Sequence, residues 1–334
     1  MRTLIAFLIF VSMSFGQEIT KVGTATAKFL SVPLSPRGVA MGEAYTAVAS
    51  DASSVFWNPA GSANIKGKSV FIGYTNWLVD TRIPAVAAIF DAGLYGKLGV
   101  FIGGVYSGGF QEYAIDRTGG VQKGDEFAYS ALQLGVNYSR YFTDKFAAGV
   151  NLKFLYEDYG SYTLATLPDG GQPHPVAIGM AIDAGTYFWT GWRSLRIAMS
   201  LQNLGPDMKP SGTYNLNVMS GSELITEERE FRSCPIPMTF RIGAAMEVLE
   251  KADKKLTVAI EATHPNDNVE TFSVGGEFSF KNMLFLRSGY VFGKDEGGFS
   301  AGFGVAHGNI QLDYSFSDFG ALPDIHRVGI TYKF

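Results

Sequence analysis

Apolar and polar residues alternate along most of this chain, and this period-two pattern is the feature that most limits its fold. In residues 132–138 every second residue is apolar, and the residues between are Gln, Gly and Asn. The same pattern recurs in 148–157, 238–247, 256–263 and 310–317. Alternation of this length is typical of a β-strand with one apolar and one polar face. The chain is therefore predicted to be almost entirely β.

These runs predict about fourteen strands, an even number such as single-chain bacterial outer-membrane barrels have. The predicted strands lie near residues 68–78, 82–92, 96–110, 126–142, 145–160, 175–189, 193–203, 236–249, 255–263, 269–280, 283–292, 297–306, 309–317 and 325–334. The expected fold class is all-β, a transmembrane antiparallel β-barrel. Residues 66–334 would form this barrel.

The connections between the predicted strands alternate in length. Every second one is a tight turn, and the three longest, 111–125, 161–174 and 204–235, all fall in the other set. Outer-membrane barrels have short periplasmic turns and longer outside loops. The pattern therefore predicts that both termini are periplasmic and that these three loops are outside. It places the protein in the bacterial outer membrane.

The composition of the two strand faces supports a barrel wall between lipid and a lumen. The apolar face consists of Leu, Val, Ile, Phe and Tyr, while the polar face is mainly Gly, Ser, Thr, Asn and Gln. In lipid every backbone group must be paired, so the sheet must close on itself. Scattered charges on the polar face are the lumen-lining candidates; they are Arg241, Glu247, Arg287 and Asp313. The expected partner of the outer face is membrane lipid.

Both ends of the chain fit this interpretation. Residues 1–16 have a basic start, an apolar run and small residues near the end, which is typical of a secretory signal peptide. Residues 327–334 alternate and end on Phe334, as the last strand of an outer-membrane barrel does. The alternative for this C-terminal run is an edge strand of a soluble sheet. Aromatic residues near strand ends predict interfacial girdles; they are Trp77, Tyr141, Tyr159, Trp189 and Trp192.

Composition argues against other classes of function. The net charge of −4 offers no basic surface for nucleic acid. Cys234 is the single cysteine, and the four histidines form no metal-binding spacing. No P-loop is present. We therefore expect no enzyme activity, no catalytic residues, no metal and no cofactor.

Residues 17–65 are predicted to form an N-terminal periplasmic or hatch segment, because 35–65 break the alternation and are rich in Ala, Gly and Ser. Such a segment would plug the barrel; the alternative is a periplasmic arm. Asp51 is a candidate cap for a short helical turn over 52–56. The hatch or gating candidates are Arg37, Asp51, Trp57, Asn58 and Pro59.

Three blocks of sequence resemble the PorV/PorQ family, within the wider group of FadL-like outer-membrane barrels. They are RGVAMGEA at 37–44 with Asp51 and WNPAG at 57–61, HPNDN at 264–268 with Glu270, and LDYSFSDFG at 312–320 with His326-Arg327. The resemblance implies a fourteen-stranded barrel with an N-terminal hatch. It also implies type IX protein secretion, in which the barrel would bind translocon components or exported proteins through the loops 111–125, 161–174 and 204–235.

The sequence leaves the function open between two classes. One is this role in secretion; the alternative is passive transport of hydrophobic small molecules past the hatch, as other FadL-like barrels perform. A structural barrel without transport is the third possibility. No motif in the sequence decides between them.

Overall fold

The computed structural model describes residues 23–115, 120–162, 173–220 and 223–334. The predicted signal peptide, 1–16, lies outside the described residues, as does much of the predicted loop 161–174. No helix in the described part of the chain is long and apolar enough to cross a membrane.

Eighteen strands are described. In chain order they are β1 (Ser69–Asn76), β2 (Arg82–Asp91), β3 (Lys97–Tyr106), β4 (Phe110–Ile115), β5 (Val121–Phe127), β6 (Ser130–Tyr141), β7 (Phe146–Asp158), β8 (Val176–Trp189), β9 (Arg196–Leu204), β10 (Thr213–Ser220), β11 (Glu223–Glu230), β12 (Thr239–Glu250), β13 (Lys254–Pro265), β14 (Thr271–Phe280), β15 (Leu284–Phe292), β16 (Phe299–His307), β17 (Ile310–Ser317) and β18 (Ile325–Lys333).

Fourteen of these strands close into one antiparallel barrel, which confirms the predicted fold class. Each strand pairs with the next along the chain, except that β3 pairs with β6 and β9 with β12. β1 and β18 close the barrel in a register that runs from Ser69 opposite Lys333 to Asn76 opposite His326. Each barrel strand corresponds to one of the fourteen strands predicted from the alternation.

The remaining four strands form two hairpins that the sequence did not predict, β4–β5 and β10–β11. β10–β11 lies within the predicted loop 204–235, and β4–β5 spans the predicted loop 111–125 and extends to Phe110 and Phe127, which were predicted as ends of barrel strands. One strand of each hairpin lacks the apolar face that marks the barrel strands, since β5 reads VQKGDEF and β11 reads ELITEERE. The strands of each hairpin pair only with each other and are not part of the barrel.

The strand faces are oriented as the alternation predicts. Large apolar side chains are exposed on the outer face, for example Ile72, Leu134 and Ile260. The intervening polar and charged residues are buried on the inner face, for example Asn151 and Glu277. The short turns lie at one end of the barrel, together with the start of β1 and the last residue of β18; we call this the short-turn end. The longer connections and both hairpins lie at the other, the long-loop end.

The N-terminal segment, residues 23–68, lies inside the barrel. It contains a 3₁₀ helix (Lys28–Ser31), the short helix α1 (Pro36–Ala40) and two further 3₁₀ helices (Ala52–Phe56 and Pro59–Asn64). A fourth 3₁₀ helix, Gly93–Tyr95, lies in a turn between barrel strands.

Capping side chains start these short helices. The hydroxyl of Ser35 accepts a hydrogen bond from the Gly38 N–H at 3.4 Å, and Pro36 opens α1 with a fixed φ. Asp51 caps the second 3₁₀ helix by accepting from the Ser53 N–H at 2.9 Å, in the position that the sequence predicts.

The backbone of the segment packs directly against glycines of the barrel wall. A Cβ atom at Gly275 would lie 2.0 Å from the Met41 carbonyl oxygen, and one at Gly149 would lie 2.5 Å from the Pro59 carbonyl oxygen. Only glycine allows the backbone of the segment to lie this close to the strands. The glycines on the inner face of the wall therefore leave the space that the N-terminal segment fills.

Candidate functional site

Two neighbouring cavities lie at the long-loop end, between the N-terminal segment and the barrel wall. The first, here called the loop cavity, has a volume of about 550 Å³. Its lining combines residues 23–28 of the segment with aromatic and apolar side chains from the loops. These include Tyr129, Tyr159, Tyr162, Pro175, Phe231 and Cys234.

The second cavity, here called the apolar cavity, has a volume of about 480 Å³. Its apolar lining residues are Phe29, Val32, Trp77, Ile83, Val105 and Phe110. Lys28 and Tyr129 line both cavities, so the two are adjacent. Together they offer an apolar space of the size that ligand pockets usually have.

A buried carboxylate fastens the segment between these cavities. Glu157, which is 3% exposed, accepts hydrogen bonds from the Thr26 hydroxyl at 2.9 Å and the Ala27 N–H at 3.0 Å. It also accepts from the hydroxyls of Tyr129 at 2.6 Å and Tyr159 at 2.7 Å. Four donors thus satisfy the two oxygens of the Glu157 side chain. Opening the loop cavity toward the lumen would require these bonds to break.

Deeper in the lumen, Arg37 ties the segment to the wall. Its Nε donates to Glu277 at 2.8 Å, and its Nη1 donates to Asp51 at 3.1 Å. Tyr45 also donates its hydroxyl to Asp51, at 2.7 Å. Burial opposes the charged form of Asp51, but Arg37 and the hydrogen bonds to the carboxylate outweigh it, so the pKa of Asp51 lies below its ordinary value. Both predicted hatch residues therefore carry charge inside the barrel.

The wall continues this network with Arg287 and Asp313, two of the predicted lumen-lining residues. Arg287 Nε donates to Glu277 at 2.6 Å, and its Nη1 donates to Asp313 at 2.6 Å. Glu277 thus joins Arg37 of the segment to the wall, and candidates that the sequence assigned to separate groups lie in one cluster. Glycine at 304 provides the space, since a Cβ there would lie 2.4 Å from an Asp313 carboxylate oxygen.

Arg241 and Trp57 form a second contact between the wall and the segment. The Arg241 guanidinium lies 5.1 Å from the centre of the Trp57 ring and 3.3 Å from a Glu261 oxygen. Glu261 in turn accepts from the backbone N–H groups of Tyr45 at 3.0 Å and Thr46 at 2.8 Å. These bonds hold the turn that follows α1 against β12 and β13.

Asn58 and Pro59 hold the last part of the segment. The Asn58 amide donates to the Thr46 carbonyl at 3.2 Å and to the Thr186 carbonyl of β8 at 3.1 Å. Its side-chain oxygen accepts from the Ala60 N–H at 3.0 Å, and Pro59 begins the helical turn. These two residues fix the local fold of the segment and its contact with the wall.

Glu247 lies apart from the other predicted residues. Its carboxylate pairs with Arg196 at 2.7 Å, close to the short-turn end, and its backbone N–H donates to the Ser194 hydroxyl at 2.9 Å. Arg196 donates to the Ala47 carbonyl at 2.7 Å. Glu247 therefore reaches the segment only through Arg196.

The sequence did not single out Glu157 as a site residue, although it lies on the polar face of a predicted strand. The girdle prediction is wrong for Trp77 and Tyr159, which line the cavities, and for Tyr141 and Trp189, which hydrogen-bond to each other at 3.1 Å and pack against the segment. Of the five, Trp192 is well exposed. Position near a strand end does not indicate which face an aromatic residue occupies.

The wall beside the apolar cavity contains a break in strand pairing. β2 and β3 pair at Arg82 opposite Tyr106 and again from Ala85 opposite Gly103, but not between these positions. Pro84 lies in the gap and has no N–H to donate. Ile83, also in the gap, lines the apolar cavity. The pairing of β2 with β3 is therefore interrupted beside the apolar cavity.

The described part of the chain contains no group of three or more His, Cys, Asp or Glu side chains that could hold a metal ion.

Comparisons with known proteins agree with this architecture. The model of an uncharacterised protein family, UPF0164, matches residues 9–333. No curated protein sequence matches this chain.

Solved structures share the fold at low sequence identity. The CymD monoaromatic hydrocarbon channel is 12% identical with a TM-score of 0.60, over 91% of this chain and 98% of that one. The toluene transporter TodX of Pseudomonas putida is 13% identical with a TM-score of 0.58, over 88% and 95%. A FadL homologue of Pseudomonas aeruginosa is 12% identical with a TM-score of 0.57, over 91% and 99%. The barrel is therefore of the FadL type.

Proposed function

The chain belongs to the uncharacterised protein family UPF0164, and we propose that it is a passive channel for hydrophobic small molecules across the bacterial outer membrane. The observation that carries this proposal is the pair of adjacent cavities at the long-loop end, with their largely aromatic and aliphatic lining. Two structural neighbours are a monoaromatic hydrocarbon channel and a toluene transporter, which favours apolar solutes of similar size.

The outer face of the barrel supports placement in a membrane. Its exposed side chains are Leu, Ile, Val and Phe on strand after strand, which water would disfavour and acyl chains would accept. We propose that the long-loop end faces outside and that the loop cavity receives the solute from there. Both ends of the barrel sequence would then be periplasmic.

The N-terminal segment would act as the hatch of this channel. It fills the lumen at the level of Arg37 and Trp57, so a solute cannot pass straight along the barrel axis without moving it. The break between β2 and β3 offers a second route, from the apolar cavity sideways into the bilayer. An apolar solute would leave water for lipid along this route without crossing the charged cluster.

The test is uptake of radiolabelled toluene by cells whose outer membrane contains lipopolysaccharide, with and without the chain. We expect faster uptake when the chain is present. Val105→Trp should fill the apolar cavity and return uptake to background, while Val121→Trp, the same change at an exposed position of β5, should leave it unchanged. Equal uptake with and without correctly inserted protein would refute the channel.

A second candidate function is a role in type IX protein secretion, with the barrel accepting exported proteins or translocon components. The observation that favours it is the pair of hairpins β4–β5 and β10–β11 at the long-loop end. Tyr113 and Val121 are exposed there, and β11 is dense in charge. Co-purification from solubilised envelopes of a host that runs this pathway would test it. Loss of attached protein on shortening of β10–β11 would support it, and absence of attached protein from the intact chain would contradict it.

A further inference from the structure

One buried basic residue inside the barrel lacks the acidic partner that five other basic residues there have. Arg37, Lys153, Arg196, Arg241 and Arg287 each lie within ion-pair distance of a carboxylate. The exception is the arginine at position 327, on β18. It is 1% exposed, and no carboxylate of the described residues forms an ion pair with it.

The contacts of Arg327 are with neutral groups. Its Nε donates to the Pro33 carbonyl at 3.2 Å, and its Nη1 donates to the Ser317 hydroxyl at 3.0 Å. The guanidinium lies 5.5 Å from the centre of the Trp77 ring, which packs edge-on against Phe319. A guanidinium has five N–H donors. These contacts fix its position but use only part of its capacity to donate.

Arg327 faces a third cavity, here called the arginine cavity, of about 160 Å³. Ser31, Ser300 and Ser317 line it. A water molecule takes about 30 Å³ in the liquid. The arginine cavity therefore has room for several waters or for one small oxyanion with a few waters.

The acidic residues around this cavity have other partners. Glu43 accepts from Lys294 Nζ at 2.8 Å, at the rim of the cavity. Asp318 also lines the cavity, but its carboxylate accepts from the Gly320 N–H at 2.8 Å and forms no ion pair with Arg327. Neither carboxylate forms an ion pair with the guanidinium, although the charge of Glu43 acts on Arg327 from a longer distance.

We propose that the arginine cavity binds a small oxyanion, of the carboxylate, phosphate or sulfate class, with Arg327 as its charge partner. A buried charge is costly unless it is paired, and a planar guanidinium is suited to two parallel hydrogen bonds with an oxyanion. The Ser317 hydroxyl oxygen accepts from Arg327, which leaves its own O–H to donate to the bound anion. This inference does not depend on the channel function proposed above.

Two sources of such an anion differ in what is attached to it. The arginine cavity shares Ser31 and Trp77 with the apolar cavity, so an aromatic carboxylate could place its charged group on Arg327 and its ring beside Trp77. A free inorganic oxyanion would occupy the arginine cavity alone. Sulfate and benzoate are probes that separate these two sources.

The test is calorimetric titration of the full chain in detergent with sodium sulfate and, separately, with sodium benzoate. Ionic strength is held constant with sodium gluconate. We expect saturable binding of at least one of these anions. Arg327→Gln should weaken it by about tenfold or more, because a charge-assisted hydrogen-bonded pair is lost. Arg82→Gln, at an exposed arginine of the same end, should bind as the unchanged chain does.

The relative affinities identify the source: tighter sulfate indicates a free oxyanion, and tighter benzoate indicates an organic acid. Absence of binding by the unchanged chain, or equal affinity in Arg327→Gln, would overturn the proposal. Because Arg327→Gln could fail to fold, Arg327→Lys provides a second variant that keeps the charge and should bind more weakly. A crystal of the unchanged chain soaked in selenate provides an independent readout. Its anomalous peak should lie within hydrogen-bond distance of the Arg327 guanidinium, and a cavity without this peak would also overturn the proposal.

Discussion

Replacing Gly275 with alanine should push the N-terminal segment away from the barrel wall. The new Cβ would lie 2.0 Å from the Met41 carbonyl oxygen, whereas ordinary contact begins at 3.4 Å, so the backbone at Met41 must move by about 1.4 Å. The obstacle is main chain rather than the end of a flexible side chain. Overpacking of this kind usually costs about 1–3 kcal/mol.

The displacement should reach the charged cluster, because Arg37 lies in the short helix that ends beside Met41 and pairs with Glu277, two residues after Gly275 on β14. A shift of this size is enough to lengthen a 2.8 Å hydrogen bond beyond useful range. The matched control is Gly276→Ala, on the same strand. A Cβ at Gly276 would meet the Thr257 carbonyl oxygen at 3.7 Å, which is an ordinary contact.

The assay is conductance of the purified chain in planar lipid bilayers, together with thermal unfolding in detergent. We expect Gly275→Ala to lower the unfolding temperature and to raise the conductance, because the segment seals the lumen less well. Gly276→Ala should match the unchanged chain in both measurements. If Gly275→Ala conducts and unfolds as Gly276→Ala does, the segment is not the seal of the barrel.

Three further predictions address the hatch and the wall. Glu157→Gln should release residues 23–28 and increase tryptic cleavage after Lys28, and an unchanged cleavage rate would show that the two hydrogen bonds from Thr26 and Ala27 do not hold the segment. Burial opposes ionisation of Glu43, but Lys294 outweighs it and lowers the pKa of Glu43 from 4.5 to about 2. The stability from this pair should therefore be complete above pH 4.5 and lost as the pH falls toward 2. Lys294→Met should remove that loss from the thermal unfolding profile. Pro84→Ala restores an N–H beside the gap between β2 and β3 and should slow toluene uptake, whereas unchanged uptake would argue against the sideways route.

The sequence predicted the barrel well because the alternation that defines each strand is local. Each of the fourteen barrel strands and the direction of its faces could be recognised from neighbouring residues alone. The partners across the lumen could not be predicted in this way. Arg37 and Glu277 are 240 positions apart, and their contact depends on the register of many strands between them. The two hairpins were missed because one strand of each, β5 and β11, carries no apolar face, which is the property that the pattern detects.

The candidate site was predicted in part for the same reason. Arg37 and Asp51 were predicted as hatch residues and Arg287 and Asp313 as lumen-lining charges, but the contacts through which Glu277 joins them could be identified only from the structure. The cavities depend on how the chain before α1 lies against the loops, and no periodic pattern describes that stretch. Identification of residue types was therefore easier than identification of the contacts between them.

The distribution of contacts along the N-terminal segment indicates which part can move. Residues 36–64 are held by wall glycines, by the Arg37 cluster and by Asn58, so moving them would break many contacts at once. Residues 23–33 are held mainly by Glu157, by an ion pair of Lys28 with Asp267 at 2.5 Å and by contacts with the cavities. Local opening favours regions with few buried contacts. We therefore expect a solute to displace residues 23–33 and pass toward the gap between β2 and β3, while the rest of the segment keeps the lumen closed. Slower hydrogen exchange in 36–64 than in 23–33, with toluene changing only the latter, would agree with this division; equal exchange in both parts would not.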